Sequence, residues 1–345
     1  MAVLHPLHPY NNMKALPYIL TPIFLIAAAF LAATIGVVNI PHEAIGAILK
    51  AKLTGGDVAE NWQIYEMTLW NLRIPRILMS LLAGSALAIC GAAFQSIFRN
   101  PICDPYILGI SSGASLGAAI AIITGLSAFT FGLPAAAMIS ALGTLFLIIG
   151  IAFIGRQKSV KTLLLAGIAI NFLISAIITL LMVVHQESFE QIIYWTMGSF
   201  ASSSWTSTII LFFMLTACSI FLFFNTKNLN ILQLGRDTAQ SSGVNVQRTT
   251  LSVLIVSSIL IAATVACCGV IGFVGLIIPH IVRLIFGNNN RTVFFFSLCF
   301  GAIFCLFADT LARSIVARSE LPVGSITALI GAPYFIFLLL AKKRK

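Results

Sequence analysis

The stretch ILMSLLAGSALAICGAAFQSIFRNPICDPYILGISSGA, residues 77–114, decides the fold class of this chain. From Ile77 to Phe98 it carries no charged side chain. It is therefore long enough to cross a bilayer as one helix, which takes about 20 apolar residues. Arg99 and Asn100 then lead into Pro101 and Pro105, which forbid a continuous helix because each removes a backbone donor and crowds the preceding turn. The chain must turn there, and a new helix is predicted to open near Tyr106. Gly109, Gly113 and Gly117 follow on one face of that helix, a spacing that lets a neighbouring helix approach closely in lipid. Gly84, Ala88 and Gly91 repeat the theme on the preceding span.

The rest of the chain reads the same way. It is 59% apolar and 9% charged with a mean hydropathy of +1.03, against roughly 25% charged residues in a soluble domain. Continuous apolar runs at Leu16–Val38, Pro134–Ile154, Leu163–Val184 and Val293–Leu311 lack the alternation of a barrel wall, so helices are expected. Breaks in hydrophobicity predict an all-α integral membrane protein of about ten spans: 17–38, 74–97, 107–126, 134–155, 163–184, 206–224, 250–269, 271–286, 293–313 and 324–341. Gln191 to Ser203 reads as a short helix near the outer face. The first apolar run, too long for a signal-peptide core, is expected to be a retained span. The seven cysteines sit almost entirely inside apolar runs without a CxxC pair, as small packing residues do.

Charge orients the bundle. With the N-terminus in the cytoplasm, fourteen basic residues fall in inner loops and six outside, in keeping with the positive-inside bias. Most acids run the other way, and both termini are then cytoplasmic. This distribution accounts for the net charge of +10 without nucleic acid, for which an aromatic-interleaved basic patch is missing.

Two polar segments exceed a simple turn. The outer one, Pro41 to Asn71, holds Trp62 and Trp70, suited to a headgroup boundary. The inner one, residues 225–249, mixes Ile231, Leu234, Ala239 and Val244 with charges, a spacing that permits one or two short amphipathic helices separated near Ser241 to Gly243. Further along, Gly269, Gly272 and Gly275 precede Pro279, His280 and Arg283, predicting a short, breakable helix with two polar heads at its cytoplasmic end. Asp309 and Arg313 are neighbours on one helix face and can pair. The chain contains no GxxxxGK[ST] or HExxH, nor an intramembrane row of carboxylates. Uphill movement of a solute would then draw its energy from another subunit.

These residues resemble the ten-helix permeases of bacterial ABC importers for iron-siderophores, haem and vitamin B12, the FecCD or B12-permease type. The matching stretches are LRIPR (72–76), AGSALAICGAAFQ (83–95), RNPICDPYILGISSGA (99–114), LLLAGIAI (163–170), YWTMGSF (194–200), GVIGFVGLIIPHIVRL (269–284), ADTLAR (308–313) and ELPVGSITALIGAPYF (320–335).

The resemblance implies a single permease domain over residues 1–345 in the bacterial cytoplasmic membrane, with two copies around a central path. Two ATPase subunits carrying ATP and Mg would sit at the cytoplasmic face, and a binding protein outside. Asn100 and Ile102, with Ser159, Val160, Lys161 and Thr162, would narrow the cytoplasmic end. Residues 225–249 would be the coupling segment, with Ile231, Leu234, Gly235, Arg236, Ala239 and Gly243 seated in the ATPase. Arg73, Arg76 and Arg313 would meet carboxylates of the binding protein as exposed forks. The chain departs from the family pattern at Asn289 and Asn290, where Asp-His is frequent, and at Phe295 in place of a proline.

The cargo implied is a metal chelate, a ferric siderophore or haem, with cobalamin or an oxyanion such as molybdate as alternatives. An ion-coupled secondary transporter would need carboxylates within spans, and of the acids only Asp309 falls near one. A membrane enzyme would need a metal or nucleophile constellation, which the sequence does not offer.

Overall fold

Hydrocarbon offers no partners for backbone amides, so each apolar run bonds within itself and becomes helix. The structure, a computed structural model, describes residues 15–35, 40–56, 58–59, 62–154, 160–315 and 320–342. Among these the regular elements are all helical. In chain order they are α1 (Ala15–Thr34), α2 (His42–Thr54), α3 (Gln63–Glu66), a wider π-helical run (Met67–Arg73), α4 (Ile74–Phe98) and α5 (Ile110–Ile123). There follow α6 (Gly132–Ile154), α7 (Val160–Val184), α8 (Phe189–Thr196), α9 (Trp205–Phe224), α10 (Thr226–Gln233) and α11 (Arg236–Ser241). The chain closes with α12 (Val246–Cys268), α13 (Val274–Phe286), α14 (Asn290–Ala312) and α15 (Val323–Lys342).

Every predicted span coincides with one of these helices. Among the described residues, seven helices are by themselves long and apolar enough to cross, while Ile110–Ile123, Val274–Phe286 and Val323–Phe337 are shorter. The short helix foreseen between Gln191 and Ser203 is α8. The outer polar segment is more ordered than its composition predicts. Ala44, Ile45 and Ile48 of α2 are buried against Ala32, Ala33, Leu69 and Ile77, and the second span is helical from Gln63 rather than from residue 74. Local hydropathy misses this because the ladder continues through Trp70 and Arg73, polar or bulky residues whose partners come from elsewhere. The Trp205 indole N–H donates to the Trp70 carbonyl at 2.9 Å.

α4 is the axis of the bundle, buried over nearly its whole length. It packs chiefly on α14, and also on α9, α12 and α13, while α5, α6 and α7 form a flank. The α4–α14 crossing depends on absent side chains: a Cβ on Gly84 would overlap the Gly301 carbonyl, and one on Gly301 would overlap that of Gly84. Gly91 meets Gly275 of α13 the same way. Backbones in van der Waals contact maximise packing where lipid supplies little hydrophobic drive between helices. Gly113 and Gly117 likewise abut α6 at Thr144 and Ala136.

Candidate functional site

At one end of α4, charges are gathered in the interior. Arg76 donates from Nε to Asp309 Oδ1 at 2.9 Å and Oδ2 at 3.2 Å, and from Nη1 to Glu320 Oε1 at 2.8 Å and Oε2 at 2.9 Å. Arg313 Nε lies 3.6 Å from Asp309 Oδ2, the pairing that their helix spacing anticipates, and its Nη2 donates to the Ala32 carbonyl at 2.6 Å. Arg73 Nη1 donates to the Ala33 carbonyl at 2.8 Å. The three arginines expected as exposed forks are therefore buried, at 6%, 9% and 5% exposure for Arg73, Arg76 and Arg313. Their guanidiniums tie the π-helical run, α4 and α14 to α1 and to the segment before α15. A buried guanidinium needs an acid and acceptors close by, which sequence spacing cannot supply across such separations. Glu320 is the exposed member of the group, its side chain 45% accessible.

Glu320 also borders an open cavity of about 380 Å³, lined among others by Trp195, Ser199, Cys267, Gly269 and Leu321. Backbone hydrogen bonds join the segments around it. Ser199 N–H donates to the Cys268 carbonyl at 2.9 Å, Val323 N–H to Gly198 at 3.0 Å and Gly324 N–H to Met197 at 3.1 Å. Gly198 and Gly269 both have φ of 70° and face one another's chain segments at backbone distance. Three unwound segments thus join where α8 ends, α12 breaks and α15 begins. The motifs YWTMGSF, GVIGFVG and ELPVGS, remote in sequence, form this one junction.

At the other end of α4, Arg99 adopts a left-handed conformation, φ 48°, and closes the helix. The following turn is tied by Asn100, whose Oδ1 accepts from Ile102 N–H at 3.1 Å. Asn100 and Ile102 are exposed. Asp104 caps the Pro105–Leu108 turn by accepting the Tyr106 N–H at 2.7 Å. Burial pushes its carboxyl up to about 6, with the Tyr106 N–H opposing. The Tyr106 hydroxyl donates to the Ile271 carbonyl at 3.1 Å, linking this turn to the break before α13. α7 runs past the same turn with Gly167 against the Ile107 carbonyl. Of the other residues expected to narrow the path, Val160, Lys161 and Thr162 open α7, and Ser159 lies outside the described residues.

Residues 225–249 form two short helices, α10 and α11. The break between them falls at Leu234–Gly235, not near Ser241 to Gly243 as the sequence suggests, because Gly235 takes φ 135° and ψ 157°, open only to glycine. Gly243, φ 81°, makes the next turn into α12. Leu229, Leu232 and Ala239 are buried, Ile231 packs against the core, and Arg236 is exposed. Leu234 stands out, 73% exposed between the two helices.

Beneath α10 lies a polar cluster that sequence reading left unassembled. Gln233 Nε2 donates to Ser96 Oγ at 3.1 Å and Asn290 Oδ1 at 3.3 Å. Arg283 Nη2 donates to Ser96 Oγ at 2.8 Å, Asn290 Oδ1 at 3.1 Å and the Ala92 carbonyl at 3.1 Å. Asn230 Oδ1 accepts from Asn290 N–H at 2.8 Å, and its Nδ2 donates to Asn289 Oδ1 at 3.2 Å. The available signal was weak: Ser96 follows Gln95 near the end of an apolar span, and Asn290 lies in the polar run Asn288–Thr292 that opens another. The neutral Asn289 and Asn290, read above as a departure, are members of this cluster.

The sequence profile of the FecCD transport family matches residues 24–341. The chain is 35% identical over 324 residues to the molybdate import system permease protein MolB of Haemophilus influenzae, covering 93% of this chain and 94% of that protein. It is 38% identical over 285 residues to the hemin transport system permease protein HmuU of Yersinia pestis, covering 80% and 84%. A solved metal-chelate type ABC transporter in an inward-facing conformation superposes with a TM-score of 0.83 at 32% identity, covering 95% of this chain and all of that one.

Proposed function

This chain belongs to the FecCD transport family, and from that premise we propose that it moves a metal chelate inward across the bacterial cytoplasmic membrane by alternating access. As a permease subunit of an ABC importer it is not itself a catalyst; ATP hydrolysis lies in separate subunits. In the proposed assembly two copies flank one path, two ATPases carrying ATP and Mg bind the basic face, and a binding protein delivers cargo to the opposite one. Both termini are then cytoplasmic.

The observation that carries the reading is the exposed Leu234 on a folded two-helix segment at the basic end of α4. An apolar side chain held out by a glycine break, with Ala239 and Leu232 anchoring the helices on either side, suits a groove on a partner better than water. Nucleotide-driven closure of two ATPases would pull on this segment and rock the helices behind it.

Haem or a ferric siderophore is the proposed cargo, with cobalamin of the same class. Similarity to the Haemophilus permease named for molybdate favours an oxyanion as the second reading. The buried arginines revise the docking contact: Arg76 and Arg313 shape the rim from inside, and Glu320 is the charge they present there. Proteoliposomes holding the permease with its ATPase and binding protein should accumulate haem, ferrichrome or cyanocobalamin only with ATP. Accumulation of molybdate alone would select the second reading, and ATP-independent uptake by the isolated chain would overturn both.

A further inference from the structure

We propose that Ser96, Gln233, Arg283 and Asn290 form a clamp that passes movement of α10 into α4 and α14, making them positioning residues for coupling. The inference rests on the coupling role assigned to residues 225–249 and adds the route by which motion leaves that segment. Leu229 and Leu232 hold α10 down by apolar contact, which is non-directional and would let the helix slide. The hydrogen bonds are directional. Gln233 reaches two acceptors, one on α4 and one on α14, and Arg283 of α13 binds the same two atoms from the other side.

Burial makes the junction stiff. Ser96 and Asn290 are both fully enclosed, and in a low-dielectric interior an acceptor that loses its donor finds no water to replace it. The planar guanidinium of Arg283 also donates to the Ala92 carbonyl and to that of Asn288. It thereby ties α4, α13 and the turn before α14 into one body. All its acceptors among the described residues are neutral, so the clamp holds by geometry rather than by charge pairing.

α4 then acts as the lever. From Ser96 to Arg76 it spans about 30 Å at 1.5 Å per residue, buried along the way. At its far end Arg76 grips Glu320 on the rim of the cavity. A rotation entering at the clamp is delivered where that cavity is bounded.

The test uses the assembled complex in proteoliposomes and needs no knowledge of cargo. Cys267, a half-buried thiol lining the cavity, is labelled with N-ethylmaleimide with and without ATP plus vanadate, and its rate is read by peptide mass spectrometry. In the native complex the two rates should differ about fivefold or more, the scale of a typical coupling free energy. In Gln233→Met, which keeps volume and loses the donors, and in Ser96→Ala, that difference should shrink below about twofold while the complex still assembles and its partner ATPase activity persists. A merely structural role would lower assembly and hydrolysis together. Variants that switch as the native complex does overturn the clamp and leave the coupling assignment standing. A native complex whose Cys267 rate ignores nucleotide, or a Leu234→Asp complex that still switches, overturns the coupling assignment itself.

Discussion

Arg76 in α4 and Asp309 in α14, 233 residues apart in the chain, are held 2.9 Å apart in the interior. Asp309 is fully buried, and its second oxygen faces Arg313. A carboxylate enclosed between two guanidiniums is not available to carry protons through a path, and its job is cohesion.

Removing it should be costly. Asp309→Asn leaves two buried guanidiniums without their shared counter-charge, and breaking a buried pair this way costs about 3–5 kcal/mol. The thermal midpoint of the detergent-solubilised protein should fall sharply. Glu320→Gln, at the exposed edge of the same cluster, should cost about 1 kcal/mol or less. Equal effects would contradict the burial difference between the two acids.

The α4–α14 crossing predicts a second contrast. Gly301→Ala drives a methyl into the Gly84 carbonyl and should destabilise by about 1–3 kcal/mol through overpacking. Gly143→Ala, in α6 with open space beside it, should be neutral or stabilising by up to about 1 kcal/mol through helix propensity. Melting curves of the pair decide it.

Leu234→Asp places a carboxylate on a side chain already exposed, so the midpoint should move by no more than about 0.5 kcal/mol equivalent. In the assembled complex, uptake should collapse while the chain still folds and inserts. Unchanged uptake would remove the coupling role from this segment.

Asp104 gives a pH signature. Its carboxyl is raised from 3.8 to about 6 by burial, so between those values the folded state holds a proton that the unfolded state has released. Stability should therefore decline as pH rises from about 4 to about 6 and level off above, by at most about 3 kcal/mol. Asp104→Asn, which can still accept the Tyr106 N–H, should abolish that slope in pH-dependent melting.

Labelling can place the two ends. Cysteines introduced at Leu234 and at Ala201, an exposed position beside the cavity, should react with an impermeant reagent from opposite faces of the membrane. Reaction from the same face would refute the topology.

The helical membrane class, the ten apolar segments and the turn at Pro101–Pro105 were legible in the residues because each is a local property. Continuous hydropathy forces internal hydrogen bonding, and proline forbids the next turn. The glycine faces were legible as surfaces of close approach. Their partners were not: nothing in Gly84 names Gly301. The helix in the outer segment escaped notice because α2 is stabilised by burial against α1 and α4 rather than by its own apolar length. The break at Gly235 was placed too late, since several glycine and serine positions nearby permit a turn and only packing of Leu232 and Ala239 selects among them.

What the amino-acid sequence determined alone was where backbone must be helix and where it must stop. The tertiary structure decided which polar groups meet. Arg76 was expected to face outward on the strength of the family resemblance, and it turned inward because Asp309 and Glu320 arrive from remote parts of the chain. The same holds for Gln233, Ser96, Arg283 and Asn290, which belong to four helices. A polar side chain in an apolar setting announces that it needs a partner, and only the crossing of helices supplies one.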